Sequence, residues 1–134
     1  MHLVRVSFIV LSVMLAASCS GRADERPRAE RAAADFYNAI AQQDGTTACV
    51  LLAPETKQEV EKAAKQPCEQ AITDEDLPAD LGIVSATEIN GNEAIVTAVG
   101  DTVFVSDFYG QWKIVAAGCS PQGDLPYDCE LKGG

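Results

Sequence analysis

Histidine is almost missing from this chain: among 134 residues the one histidine is His2. Beyond that position there is no imidazole, which excludes Ser-His-Asp and Cys-His nucleophilic arrangements and histidine-ligated zinc or iron. The five cysteines include no C-x-x-C pair, so neither a metal site of four cysteines nor a thioredoxin-like redox role is indicated. We therefore expect a protein that is not an enzyme and that holds no metal and no cofactor.

Basic residues are also scarce. The chain carries 10 Lys and Arg against 20 Asp and Glu, and residues 44–134 hold 5 bases and 16 acids. Nucleic-acid binding needs a basic patch, so this class of function is excluded. The acidity is typical of a solvated surface, with a cationic ligand or partner as the alternative.

Long apolar runs are missing as well. A transmembrane helix needs about 20 apolar residues, and the most apolar stretch, residues 6–18, is shorter. Arg5 precedes this stretch, and it ends in the small residues Ala16, Ala17 and Ser18. This is the layout of a secretory signal peptide.

Cys19 follows these small residues directly, so the stretch resembles a bacterial lipoprotein signal, with Ala16 where Leu is usual. The resemblance implies a diacylglycerol thioether on Cys19, which becomes the mature N-terminus. It places the protein on the extracytoplasmic face of the cell membrane, held by its lipid. The alternative is an ordinary signal peptide that leaves Cys19 a free thiol.

These features divide the chain into three parts. Residues 1–18 are the signal peptide, residues 19–28 are the lipidated cysteine with a polar tether, and residues 29–134 are enough for one domain. Four arginines lie near the anchor, where they can contact anionic headgroups: Arg22, Arg26, Arg28 and Arg31.

Hydrophobic periodicity predicts helices first and strands afterwards. Helices are expected at 28–43, 46–52 and 55–65, with a further turn at 68–72 and an acidic connector at 73–81. Strands are expected at 83–89, 94–99, 102–106 and 111–117, joined by turns at 90–92, 100–101 and 107–110. The sequence thus predicts an α+β domain of N-terminal helices packed on a four-stranded antiparallel meander.

Four cysteines remain once Cys19 is assigned to the lipid, an even number in an oxidising compartment. Three pairings are possible. We expect disulfides Cys49–Cys68, within the helical half, and Cys119–Cys129, around the tail. Each would close a short loop and stabilise the fold by about 2–4 kcal/mol.

Two segments carry a resemblance to a known family. The helical half that begins Ala32-Ala33-Ala34-Asp35-Phe36-Tyr37 and the strand Gly110-Gln111-Trp112-Lys113-Ile114 with its Ala-Gly-Cys ending resemble the NTF2-like superfamily, and in particular small cysteine-containing lipoproteins of actinobacteria. The resemblance covers residues 32–129 and implies a cone, in which a curved sheet wraps the helices around an apolar cavity. Enzymatic relatives place an acid or base, commonly Asp or His, in that cavity with Tyr as a donor. This chain lacks the histidine.

Several side chains are candidates for a site in such a cone. Tyr37 and Trp112 would line the cavity, with core packing as the alternative. Asp35, Asp101 and Asp107 are the carboxylates expected nearest its rim. We assign Asp101 and Asp107 to local turn hydrogen bonds and Asp35 to a solvated helix surface.

Two further features lie outside the cavity. Asp74, Glu75, Asp76 and Asp80 form an acidic run without the pattern of a calcium loop, and we interpret it as a solvated connector. Phe108 and Tyr109 are adjacent aromatics at a hairpin tip. Either one of them is exposed as a partner contact, or the hairpin folds over a helix and buries both.

Three functions are compatible with these observations. The first is a lipid-anchored, non-enzymatic binding or accessory module for an envelope protein or a small apolar ligand. The second is a cone-type isomerase, cyclase or hydrolase that uses Asp and Tyr, which requires a desolvated carboxylate within reach of Tyr37. The third is a structural envelope-interaction protein with Phe108 and Tyr109 as its contact.

Overall fold

A computed structural model describes residues 24–133 of the chain. The predicted signal peptide and Cys19 lie outside the described residues. Four helices come first: α1 (Arg26–Ala41), α2 (Gly45–Leu51), α3 (Pro54–Ala64) and α4 (Cys68–Ala71), which continues into a 3-10 turn at Ile72–Asp74. Among residues 24–133 no helix has both the length and the apolar character to cross a membrane.

The strands follow as one antiparallel sheet: β1 (Val84–Asn90), β2 (Glu93–Ala98), β3 (Thr102–Phe108), β4 (Gln111–Gln122) and β5 (Leu125–Lys132). Each pairs with the next along the chain, in the order β1-β2-β3-β4-β5. The α+β class with an antiparallel meander is confirmed.

The predicted number of strands was wrong, because the sheet has five and not four. Leu125, Tyr127, Cys129 and Leu131 alternate with polar residues and proline, a period of two typical of a strand. Residues 125–132 pair with the C-terminal half of β4, which extends to Gln122 beyond its predicted end at residue 117. The tail is therefore an edge strand of the sheet.

The end of α1 also differs from the prediction. The helix was predicted to run to residue 43 but ends at Ala41, and Gln43 takes the left-handed conformation at φ 54°. Gly45 begins α2, and the side chain of Asp44 caps α2 by accepting a hydrogen bond from the Thr47 amide at 3.0 Å. A Cβ at Gly45 would lie 2.0 Å from the Glu69 carbonyl oxygen, so close packing against α4 requires glycine there.

The hydrophobic core lies between α1 and one face of the sheet. The buried side of α1 is rich in small residues, and this lets the helix approach the strands closely. Across from it stand four branched side chains that are almost fully buried: Val96, Val103, Val105 and Ile114. Phe36 fills the space between the layers and meets the Tyr37 ring edge-on at 5.6 Å.

Both expected disulfides are present. Cys49–Cys68 joins α2 to α4, and Cys119–Cys129 joins directly opposed residues of β4 and β5. The first holds two helices too short to be stable alone. The second secures the edge strand that the prediction missed.

Candidate functional site

The most unusual polar arrangement of the described residues is a buried pair between α1 and the sheet. Tyr37 is 2% exposed and Asp101 is 8% exposed. The Tyr37 hydroxyl donates a hydrogen bond to Asp101 Oδ2. Asp101 follows the β2–β3 turn, so the pair connects the middle of α1 to that turn.

Asp101 receives two more hydrogen bonds from consecutive amides of β4. Gly118 N donates to Oδ2 at 2.7 Å and Cys119 N donates to Oδ1 at 3.0 Å. Consecutive amides of a regular strand point to opposite sides, but Gly118 has a φ of 65° and turns its amide towards the same carboxylate. Successive amides in such a conformation form an anion-binding concavity. A negative charge in the interior is thus matched by three donors.

Glycine also allows the β2–β3 turn to pack closely. A Cβ at Gly100 would lie 2.2 Å from the Asp80 carbonyl oxygen, and the Gly100 amide donates to the Leu81 carbonyl at 2.9 Å. This close approach brings the segment before β1 against the turn and places Asp101 next to α1. The assignment of Asp101 to a simple local turn bond was therefore wrong, because its side chain accepts bonds from two distant elements.

Burial raises the pKa of Tyr37 far above its ordinary value, and the hydrogen bond to Asp101 and the charge of that residue raise it further. The Gly118 amide acts in the opposite direction. Tyr37 therefore stays protonated at physiological pH and serves as a fixed hydrogen-bond donor.

An open groove of about 470 Å³ is lined by Asp101 of this pair, and we call it the acidic groove. Its floor is formed by Asp101, Gly118 and Cys119, and its walls by the segment 76–78, the β2–β3 turn and Glu130. Beside it stand two exposed apolar side chains, Ile83 at 78% and Val99 at 81% exposure. The Val99 amide donates to the Ile83 carbonyl at 2.9 Å, so the two residues are neighbours. We call this pair the apolar edge.

Several carboxylates lie near the groove. The ion pairs among the described residues involve Asp24, Glu25 and Glu59, so none of them neutralises a carboxylate of the groove. Burial raises the pKa of Glu75, and the negative charges of Glu130 and Asp74 raise it further. Asp74, Asp76 and Asp80 are exposed, as expected for a solvated connector, but Glu75 is half-buried. The acidic run thus packs against β5 at one position.

Tyr37 and Trp112 do not line a common cavity. Trp112 is 7% exposed and lies at the other end of α1, where its Nε1 donates to Glu25 Oε2 at 3.0 Å. A second cavity, of about 480 Å³, lies there between the start of α1, the β1–β2 turn and Asp107. Asp107 Oδ1 is buried and has no hydrogen-bond partner among the described residues, so its expected turn bond is not formed through this atom.

The remaining predicted residues fall on the surface. Asp35 is exposed on α1, as expected. Tyr109 is fully exposed and Phe108 is half-buried beside Pro54 and Thr56. The alternative in which both aromatics are buried is therefore wrong.

In the part of the chain that the structure describes, no three His, Cys, Asp or Glu side chains are grouped so as to hold a metal ion. Comparison with known proteins finds no match to this chain among family models, curated proteins or solved structures.

Proposed function

We propose that this chain is a lipid-anchored extracytoplasmic lipoprotein whose domain is a non-enzymatic binding module, with the acidic groove as its binding surface. The observation that carries the proposal is the combination in one place of an open groove, unpaired carboxylates and two exposed apolar side chains. The partner that fits this chemistry is a basic segment of an envelope protein with apolar side chains among its Lys and Arg residues.

The anchoring part of the proposal is supported by the sequence up to Cys19. A lipid on this residue holds the domain at the membrane, where an envelope partner is concentrated. Replacement of Cys19 by Ala is expected to release the protein from the membrane fraction into the soluble fraction, as detected by immunoblotting. An unchanged membrane fraction would contradict lipid anchoring.

The NTF2-like resemblance is compatible with the architecture, in which helices cover one face of an antiparallel sheet. Side chains such as Phe36, Val103 and Ile114 fill the space between α1 and the strands. Filling of this space supports a module that binds at its surface. We therefore propose an NTF2-like domain in which the groove at the end of the sheet takes the place of a deep cavity.

Binding can be tested with a synthetic peptide of alternating lysine and leucine, titrated into the isotope-labelled full-length lipoprotein in detergent micelles. The amide resonances of Val99, Gly100 and Gly118 are expected to shift most. The double variant Asp76→Asn, Glu130→Gln is expected to bind about 2- to 30-fold more weakly, because each of the two exposed ion pairs contributes about 0.2–1 kcal/mol.

The matched control removes the same charge elsewhere, by Glu55→Gln and Glu61→Gln on α3. Val99→Ser should weaken binding, whereas Val50→Ser, at another exposed valine on α2, should not. Equal effects of the groove and α3 variants would show a nonspecific charge attraction and would contradict the assignment of the groove.

A cone-type isomerase is a second candidate, because Asp101 is desolvated and within hydrogen-bond reach of Tyr37. Against it, Asp101 already accepts three internal bonds and Tyr37 holds its proton firmly. An unconjugated 3-ketosteroid offered to the protein should not become conjugated, as followed by ultraviolet absorbance. Isomerisation that disappears in Asp101→Asn would favour the enzyme.

A further inference from the structure

One end of the domain collects the features expected of a membrane contact. The two-residue turns Gly91-Asn92 and Tyr109-Gly110 lie at the same end of the meander, since β1 and β3 run in the same direction. The start of α1 reaches both: Arg26 and Glu25 border a cavity with Gly91 and Asn92, and an Arg28 guanidinium N–H donates to the Gly110 carbonyl. We call this the tether end.

The tether end is also where the chain approaches its expected anchor. Asp24 lies five positions after Cys19, and five residues span at most about 18 Å when fully extended. This inference rests on the proposed lipidation of Cys19. With a lipid there, the tether end is the part of the domain that faces the bilayer.

Tyr109 stands at the tip of this end with its side chain fully exposed. Tyrosine is enriched at membrane interfaces, where its ring contacts the apolar boundary and its hydroxyl stays hydrated. Segment 22–31 carries four arginines and three acids, whereas residues 35–134 carry 5 bases and 17 acids. The segment that enters the tether end is thus the part of this acidic chain that an anionic surface repels least.

The fold itself gives no reason for an aromatic residue at this tip. Tyr109 has a φ of 54° and Gly110 a φ of 87°, and a two-residue turn with positive φ at both positions favours Asn-Gly. A bulky residue in this conformation is strained. The position therefore carries a side chain that the turn disfavours and that contacts nothing within the domain's core.

We infer that the tether end docks on an anionic phospholipid surface, with the Tyr109 ring at the level of the headgroups. The lipid holds the chain at the membrane, and Tyr109 together with the neighbouring arginines orients the domain. The acidic groove, at the opposite end of the strands, then points away from the bilayer towards a partner.

The three tyrosines allow a direct test by enzymatic iodination, because the iodinating enzyme cannot enter the bilayer. Tyr37 is buried and Tyr127 is 40% exposed on β5, so Tyr127 serves as an internal control. The wild-type lipoprotein in phosphatidylglycerol-containing vesicles is compared with Cys19→Ala in solution, by mass spectrometry of the labelled peptides. Tyr109 labelling is expected to fall several-fold in the vesicles, while Tyr127 labelling stays constant.

Each outcome separates docking from anchoring. If the protein is anchored but Tyr109 is labelled as fast as in solution, docking is contradicted and lipid anchoring is not. A wild-type protein that remains soluble contradicts anchoring and this inference with it. Protection of Tyr109 in native membranes but not in protein-free vesicles overturns the inference in favour of a protein contact.

Tyr109→Asn supplies a second measurement that a purely structural role would not reproduce. Because Asn suits the turn, the variant is expected to melt a few degrees higher than the wild type. Its reoriented domain should expose Arg28 to trypsin more readily when the protein is anchored in vesicles. A lower melting temperature together with unchanged trypsin cleavage would assign Tyr109 to the fold and overturn the docking.

Discussion

Carboxylates lie at both ends of the sheet near α1, and they differ in how many hydrogen bonds they accept within the protein. At the groove end Asp101 is buried and accepts three hydrogen bonds from Tyr37, Gly118 and Cys119. At the tether end Glu25 is partly exposed and contacts Trp112 and Arg28, while Asp107 Oδ1 has no partner among the described residues. A buried carboxylate that accepts hydrogen bonds from two elements ties them together, whereas a buried carboxylate oxygen without a partner adds no such bond.

The largest expected effect is at the groove end. Asp101→Ala would leave the Tyr37 hydroxyl and two β4 amides without an acceptor in a buried site. Unsatisfied buried donors cost about 1–3 kcal/mol each, so with three donors the variant is expected to lose at least about 3 kcal/mol of unfolding free energy. Urea denaturation followed by circular dichroism measures the loss.

The matched control for that variant is Asp107→Ala at the tether end. Since Asp107 Oδ1 makes no hydrogen bond that is lost, its removal is expected to change the unfolding free energy by less than about 1 kcal/mol. Equal losses at both positions would contradict the distinction between the two ends.

A smaller effect is expected from Trp112→Phe at the tether end. The ring volume is largely kept, and the bond from Nε1 to Glu25 is lost at a cost of about 1 kcal/mol. Thermal unfolding measures it. Glu25→Gln should cost less, because the amide oxygen can still accept the bond. If Trp112→Phe lost as much unfolding free energy as Asp101→Ala, the two ends would contribute equally to stability and the distinction between them would be contradicted.

The smallest effect concerns Glu75, whose pKa is raised in the folded state by burial, Glu130 and Asp74. A raised folded pKa means that the contribution of this group is most favourable below the unfolded pKa and is lost as the pH rises through the folded pKa. Glu75→Gln is therefore expected to stabilise the protein slightly at pH 7, by less than about 1 kcal/mol because solvent screens a half-buried charge.

Melting curves at pH 7 and pH 4 would show this difference. The variant should gain at pH 7 and gain little at pH 4, where wild-type Glu75 is largely protonated. A gain of the same size at both values would attribute the effect to packing instead of charge.

The order of the elements was predictable because it depends on local patterns. The 3.6-residue period around Phe36 and the alternation in 94–99 and 111–117 identified the helix and two strands. The alternation of Leu125, Tyr127, Cys129 and Leu131 has the same period of two, but Pro126 and the polar residues between them make the pattern weaker, and the prediction ended at the fourth strand. The even number of cysteines left three pairings open, and the expectation of one disulfide in the helical half and one around the tail is confirmed.

The site depended on contacts between residues far apart in the sequence. Nothing local in Asp101, which follows a turn glycine, distinguishes it from Asp107. Only the docking of α1 brings Tyr37 to it, 64 positions away, and only the positive φ of Gly118 turns two amides towards it. Likewise, the sequence shows two adjacent aromatics, but the register of β3 and β4 decides that Tyr109 is exposed and Phe108 is half-buried.

The sequence by itself therefore determined the class of fold and gave the reason to expect an anchor at Cys19, because periodicity and a signal layout are properties of neighbouring residues. The even number of cysteines allowed three pairings, and the structure shows which of them is formed. The tertiary structure alone decided which carboxylate is buried, where the acidic groove lies and which end of the domain carries Tyr109. Those outcomes depend on desolvation and on hydrogen bonds between distant segments, which exist only once the chain has packed.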